Sequence, residues 1–384
     1  MTEAAAQKNQ AITLGSKASL TPCRNPLRGF VCRLPNAPRV RGLTRLHAVT
    51  RLAGLGYTVR KKRGLMVKRI LKSTISVMFL IASPLIANAS QLIEGKVDTK
   101  LVPSPVEYNA LLPDGYDSIK EPLPLLLFLH GGGGDRGFLT RMRAIIDDMW
   151  KAGTLPKMVI VTPSALRSFY MDYKDGSQKW ESFVVGPFLE HLRKTYNVTR
   201  DRKGTLLFGI SMGGLGALRM GFKHPDMFEA LAALEPGIDP ALKWKEVKPR
   251  NRFYRSDELL QTIFGRPFDE AYWEANNPAS ICVVGAEKIR ASGLEIYIDV
   301  GDQDAFNINE GTEFMHRVLW DYNIPHEYHL VRGADHVGRT IRPRATEALQ
   351  FLARVLNPPP VDPEAETLRR QLEPMKRAAE RKPN

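Results

Sequence analysis

Thr205-Leu206-Leu207-Phe208-Gly209-Ile210-Ser211-Met212-Gly213-Gly214-Leu215-Gly216 is the stretch that decides the fold. Residues 205–208 are a short apolar run suited to a buried strand, and residues 214–222 suit a helix. A Gly-x-Ser-x-Gly set between strand and helix forms a strained turn that lifts the serine hydroxyl clear of a sheet. Gly209 and Gly213 leave room for strand and helix to approach closely. The turn also puts Ser211 at a helix N-terminus, where developing negative charge is favoured. A glycine-rich turn with an incidental serine is the competing account, and the strand–turn–helix context weighs against it. Ser211 is therefore the candidate nucleophile, and the rest of the chain should supply a base, a carboxylate and oxyanion donors.

Working outward, apolar runs alternate with helical patterns. Residues 106–112 alternate weakly and end in the turn Pro113-Asp114-Gly115-Tyr116, which suits an edge strand. Residues 123–129 and 158–162 are nearly continuous apolar runs, the pattern of parallel strands buried on both faces. Further strands are expected at 230–234, 294–300 and 327–331, and helices at 140–152, 180–196 and 344–356. This alternation predicts an α/β fold, a mostly parallel central sheet with helices on both faces. Sites in such sheets lie beyond the carboxyl ends of the strands. The glycine run 131–134, Ser211 and Asp304 follow strand ends directly, and His336 comes five residues after Val331, so they should converge.

A serine hydroxyl needs a base. His336 lies in the glycine-flanked loop Arg332-Gly333-Ala334-Asp335-His336-Val337-Gly338 after the last strand, which makes it the candidate. His326 and His329 lie on or beside that strand, and His191, His224 and His316 fall on helices or their ends. The carboxylate that orients the base comes from Val300-Gly301-Asp302-Gln303-Asp304, with Asp304 preferred and Asp302 the alternative. The order Ser, Asp, His along the chain is that of the α/β-hydrolases. Oxyanion donors are the backbone N–H of Met212 and one from the run Gly131 to Gly134, with Gly132 and Gly133 named. A phosphate-binding loop is the rival account of that run, but it lacks the Gly-Lys-Ser/Thr ending. The pattern needs no cofactor, and no Cys/His cluster has metal-ligand spacing.

Residues 236–278 break the rhythm. They hold no strand-length apolar run but seven aromatics, including Trp244, Phe253, Tyr254 and Trp273. A helical insertion over the site is expected there, with a packed excursion of no substrate role as the alternative. Candidate substrate-binding residues are Tyr170, Trp180, Trp244 and Trp273. Arg250, Arg252 and Arg255, interleaved with Phe253 and Tyr254, would suit an anionic or sugar-bearing ester.

From about residue 102 to 356 the chain resembles the esterase family of α/β-hydrolases that includes esterase D, feruloyl esterases and mycolyltransferases. The resemblance is carried by Leu129-His130-Gly131-Gly132-Gly133-Gly134, Gly209-Ile210-Ser211-Met212-Gly213-Gly214, His224-Pro225-Asp226-Met227-Phe228, Gly301-Asp302-Gln303-Asp304 and Gly333-Ala334-Asp335-His336. It implies an α/β-hydrolase fold and a serine carboxylesterase with Ser211, Asp304 and His336 as triad. It also favours Asp304 over Asp302, because the family's acid ends a Gly-x-x-Asp pattern. It leaves the substrate open within small-molecule or carbohydrate-linked esters. An acyltransferase using the same residues, and a non-catalytic binding protein on the same scaffold, are the other readings.

The net charge of +14 is misleading. Residues 1–89 hold 16 Lys and Arg and one acid, which leaves 39 basic and 40 acidic residues in the remainder. A near-neutral body implies no nucleic-acid surface. Residues 66–89 read as a signal peptide: the basic Met66-Val67-Lys68-Arg69-Ile70-Leu71-Lys72, an apolar stretch, then Ala87-Asn88-Ala89 as cleavage site. That implies a secreted or periplasmic protein with no stable membrane span after cleavage. Residues 1–65 then read as upstream sequence ahead of a start at Met66, with an organellar transit peptide or an uncleaved anchor helix as alternatives. Past cleavage only Cys282 remains, expected to be a buried, inert thiol. Residues 357–384 open with Asn357-Pro358-Pro359-Pro360 and continue as a charged, solvated tail.

Overall fold

The computed structural model describes residues 90–380, and the expected signal peptide and leader lie outside them. The chain opens with two antiparallel strands, β1 (Gln91–Val97) and β2 (Val106–Leu112), before the first parallel strand, β3 (Leu125–Leu129). Helix α1 (Gly137–Lys151), β4 (Val159–Pro163), α2 (Trp180–Phe183) and α3 (Leu189–Thr195) follow, the last two joined by a π-helical turn holding Pro187. The central unit is β5 (Thr205–Ile210), α4 (Met212–Lys223) and β6 (Ala230–Leu234). Four helices come next: α5 (Pro249–Arg252), α6 (Asp257–Phe264), α7 (Glu270–Asn276) and α8 (Pro278–Ser292). The chain continues with β7 (Glu295–Gly301), α9 (Ile308–Asp321), β8 (Glu327–Val331), α10 (Ile341–Leu356) and the exposed tail helix α11 (Pro363–Glu380).

The eight strands form one sheet in the order β1-β2-β4-β3-β5-β6-β7-β8. Pairing is antiparallel only at β1/β2 and β2/β4, and parallel across the rest. The fold is that of an α/β-hydrolase. Its register explains the apolar runs: Leu125, Leu127 and Leu129 of β3 point into one core, while Leu126 and Phe128 point into the other. A strand covered on both faces has no polar side to alternate with. One core is closed by α1 and α10, the other chiefly by α2, α3, α4 and α6 to α9.

The strand at 106–112 is not the edge strand that its weak alternation suggested. β2 bonds to β4 on one side and to β1 on the other, and six of its seven residues are buried. The edge is β1, whose mostly exposed Gln-Leu-Ile-Glu-Gly-Lys-Val lacks a buried face and so left no apolar signal. Cys282 is buried, and burial pushes its thiol pKa up to about 12, which makes it a poor nucleophile. Among the described residues, no helix is long and apolar enough to cross a membrane.

The centre of the sheet leaves no slack. A Cβ placed on Gly213 would lie 2.2 Å from the carbonyl oxygen of Leu129 in β3, and one on Gly209 would lie 2.1 Å from that of Gly213. Both neighbours are backbone of central elements, so neither can give way. Gly213→Ala is therefore expected to cost about 3 kcal/mol or more, read as a lower midpoint of thermal unfolding. Gly285→Ala in α8, where a Cβ would meet only Ile289 Cδ1 at 3.8 Å, is the comparison. Equal midpoints for the two variants would contradict this account of the turn.

Candidate active site

Ser211 has φ 56° and ψ −114°, a conformation costly for a residue with a side chain. The turn is held from three sides. The Ser211 N–H donates to Leu234 O at 2.9 Å, and the Ser211 carbonyl accepts from Leu215 N at 3.0 Å and from Gly237 N at 3.0 Å. These bonds tie β5 and α4 to the end of β6, so the strain is spread over the sheet.

The three residues predicted as a set come together. Ser211 Oγ lies 3.1 Å from His336 Nε2, and His336 Nδ1 lies 2.8 Å from Asp304 Oδ2. The second Asp304 oxygen accepts from the N–H of Phe306 at 2.8 Å. Asp302 is used elsewhere: its Oδ1 accepts from Gly333 N at 2.6 Å and ties the loop after β7 to the loop after β8. Asp335 braces the same pair of loops, accepting from Ala305 N and His336 N. Burial opposes a charged imidazole at position 336, but the hydrogen bond to Asp304 and the nearby carboxylate charges outweigh it and raise the His336 pKa. A hydroxyl, an imidazole and a buried carboxylate in one hydrogen-bonded line can move the hydroxyl proton to Nε2 while Nδ1 stays protonated.

The glycine run packs against this line. Gly134 N is spent on Gly131 O at 3.0 Å, whereas the N–H groups of Gly132 and Gly133 donate to no backbone group among the described residues. Met212, as the first residue of α4, has no intrahelical acceptor either. A Cβ on Gly132 would lie 3.9 Å from Met212 Cβ, so Gly132 sits beside the second expected donor.

His130 holds that loop, a role the sequence did not suggest. Its Nδ1 lies 2.8 Å from Gly131 O, its Nε2 accepts from Ala165 N at 2.9 Å, and its N–H donates to Tyr170 Oη at 2.9 Å. Both ring nitrogens are thus engaged, and burial lowers its pKa, which keeps it neutral.

Glu235 is the residue that motif reading missed. It follows β6 directly with φ 38°, is fully buried, and places Oε2 3.7 Å from His336 Nδ1. Arg344 of α10 bridges it to the core, with Nη1 3.0 Å from Glu235 Oε2 and a two-point contact on Asp299 at 2.9 Å each. Glu235 Oε1 is buried without a partner. Burial dominates and raises the Glu235 pKa to about 7, against the charges of His336 and Arg344. The only hint in the sequence was an acid directly after the buried strand Ala-Leu-Ala-Ala-Leu. Oxygen and nitrogen atoms of Glu235, Asp304 and His336 come within 4.8 Å of one another, but they are already bonded to each other or to Arg344.

This arrangement carries a pH expectation. Neutral His336 is the form that can accept the serine proton, so kcat/KM should rise with pH through the His336 pKa. Removing a carboxylate that favours the imidazolium lowers that pKa. Glu235→Gln should therefore move the acid limb of the kcat/KM profile to lower pH than in the wild type. A limb that stays in place, or moves up, would show that Glu235 does not act on His336.

The four aromatic residues expected to bind substrate lie elsewhere. A cavity of about 850 Å³ opens over Ser211, lined by the glycine run, Met212, His336, Phe138, Phe306, Ile341 and others, but by none of Tyr170, Trp180, Trp244 or Trp273. Tyr170 and Trp180 are buried in the core; Tyr170 supports His130, and Trp180 Nε1 donates to Gln178 at 2.7 Å. Trp244 packs on Phe268 and Trp273 within the insertion. The insertion is helical as expected, yet it reaches the cavity wall only through Gly237, Tyr254 and Arg255. Arg250 pairs with Glu310 and Arg252 with Asp257, and neither lines the cavity.

The family model described as "Putative esterase" matches residues 100–346. The chain belongs to that esterase family. An esterase of Mycobacterium tuberculosis is 28% identical over 261 residues, covering 61% of this chain and 52% of its own. A diacylglycerol acyltransferase/mycolyltransferase of Mycobacterium leprae is 25% identical over 183 residues, covering 43% of this chain and 52% of its own. The chain thus spans about half the length of these curated relatives. Among solved structures, a ferulic acid esterase superposes with a TM-score of 0.58 at 24% identity, covering 70% of this chain and 99% of its own. At that identity the likeness speaks for the fold alone. The matched residues of this esterase-family chain include Ser211, Asp304 and His336.

Proposed function

We propose that this protein is a serine carboxylesterase working through an acyl-enzyme. The observation that carries the reading is the line from Asp304 through His336 to Ser211 Oγ, 2.8 and 3.1 Å, opening onto a cavity of about 850 Å³. In this reading His336 takes the Ser211 proton as Oγ attacks the ester carbonyl. The N–H groups of Met212 and Gly132 or Gly133 hold the oxyanion. His336 then gives its proton to the leaving alcohol, and water activated by His336 cleaves the acyl-enzyme to return Ser211 and release the acid. Asp304 orients the imidazole and stabilises its charged form. Membership of an esterase family supports this reading.

The match to an acyltransferase favours a second reading, in which an alcohol or sugar takes the place of water in the last step. Hydrolysis and transfer use the same side chains, so the products separate them. The protein is incubated with a panel of acetyl, longer acyl and feruloyl esters, with and without an added sugar or glycerol. Free acid in both conditions supports hydrolysis, and a new ester that replaces the free acid supports transfer. Neither product from any ester would sink both. A secreted or periplasmic location is proposed from residues 66–89. Cell fractionation that leaves the protein in the cytosol would refute it.

A further inference from the structure

Resting on the esterase reading, we infer that the substrate carries an anionic group, a carboxylate, sulfate or phosphate, read by Arg141 and Arg167 at the wall of the Ser211 cavity. Among the described residues, three arginines line that cavity and no aspartate or glutamate does. Arg255 is neutralised: it is buried, with Nη1 2.7 Å from Asp239 Oδ2 and Nη2 bonded to Gly237 O and the Tyr254 hydroxyl. Arg141 and Arg167 differ. Both are exposed at the cavity, and among the described residues neither makes an ion pair or a side-chain hydrogen bond. The Arg141 guanidinium lies over the ring of the cavity residue Phe138, 5.9 Å from its centroid. Arg167 Nε lies 3.9 Å from where a Cβ on Gly132 would sit, beside the expected oxyanion donors.

The backbone that carries Arg167 is fixed on both sides of it. Leu166, Phe169 and Tyr170 all have φ between 52° and 55°, costly for side-chain-bearing residues. The segment is pinned at both ends: Ala165 N donates to His130 Nε2, the Tyr170 hydroxyl accepts from His130 N, and Arg219 Nη1 donates to Tyr170 O at 3.1 Å. A strained segment latched to the oxyanion loop fixes where its guanidinium can reach. The remaining walls are mostly apolar, including Phe138, Phe169, Leu215 and Phe306. Apolar walls weaken the screening of a charge that faces them. A guanidinium offers a planar, two-pronged donor set that matches carboxylates and other oxyanions. The chemistry that fits is an ester with an apolar body and an anionic end.

The test uses pairs of esters that differ only in charge. On the acyl side these are p-nitrophenyl hemiadipate, whose carboxylate is too far from the ester to close a five- or six-membered anhydride, and p-nitrophenyl 6-methylheptanoate, in which an isopropyl group replaces the carboxylate. On the alcohol side they are 4-carboxyphenyl and 4-isopropylphenyl acetate. Wild type should favour the anionic member of at least one pair by about ten-fold or more in kcat/KM, and the preference should shrink with added salt. Arg141→Gln with Arg167→Gln should lower that ratio by about ten-fold, while the double Lys variant keeps part of it. The acyl and alcohol arms tell which half of the ester bears the anion. No charge preference in either pair, or a preference that survives in the double Gln variant, overturns the inference and leaves the esterase reading standing.

A second readout does not need turnover. Labelling of Ser211 by a fluorophosphonate should be slowed by 4-phenylbutyrate more than by neutral 4-phenylbutanol, and the difference should vanish in the double Gln variant. Protection of this kind without hydrolysis of any ester would refute the esterase reading and keep the anion site. Equal protection by acid and alcohol would overturn the anion site by itself. Labelling also reports folded active sites in each variant.

Discussion

Ser211→Ala is expected to abolish ester hydrolysis, lowering kcat on the order of 10⁴-fold or more, while the protein stays folded. Among the described residues the hydroxyl has one partner, His336 Nε2 at 3.1 Å, and no role in holding the turn. The turn is held by the backbone of Ser211, through Leu234, Leu215 and Gly237, and alanine keeps all three bonds. Alanine also pays the same backbone strain at φ 56° as serine does, so the thermal midpoint should change little. An organophosphate or fluorophosphonate should label one site in the wild type and none in the variant. Label on another serine, or turnover within ten-fold of wild type in folded variant, would remove Ser211 from the mechanism.

Asp304→Asn should be nearly as damaging, at about 10⁴-fold in kcat, and far worse than Asp302→Asn. An amide in place of the Asp304 carboxylate can present its NH₂ to Nδ1, which favours the tautomer that leaves Nε2 protonated and unable to accept the serine proton. Glu235 does not rescue it: its Oε2 is 3.7 Å from Nδ1 and already bonded to Arg344 at 3.0 Å. Asp302 holds only Gly333 N, so its loss loosens a loop that Asp335 also braces. Steady-state kinetics of the two variants, with circular dichroism to confirm folding, decide between them. If Asp302→Asn were the slower enzyme, the carboxylate would have to be reassigned.

Much of this was legible because it depends on local constraints. Strand β3 and strand β4 read as unbroken apolar runs because both of their faces are covered. The turn at Ser211 was legible because only small residues fit between a strand and a helix in contact, and the close approaches of Gly209 and Gly213 show why. Asp304 and His336 were legible as polar residues in loops at the ends of strands, where an α/β sheet gathers its site. The edge strand β1 was not, since an exposed strand carries no apolar signature.

Local patterns in the chain were enough for the α/β fold, for where along the chain the strands with apolar runs lie, and for the set Ser211, Asp304 and His336. Each of these follows from burial, steric room or position along a strand, all of which act within a few neighbours. Which side chains face the cavity depends on contacts between residues far apart in the chain. Trp180 and Trp273 looked like substrate contacts because aromatics suit both pockets and cores, and they proved to be buried outside the cavity wall. Glu235 looked like an ordinary acid after a strand until it was seen beside His336, bridged to Asp299 by Arg344, which is 109 positions away in the chain. Arg141 and Arg167 stand apart from their paired neighbours because, among the described residues, no carboxylate comes within ion-pair distance of them. Pairing and exposure are properties of residues distant in the chain, and no spacing along the chain encodes them.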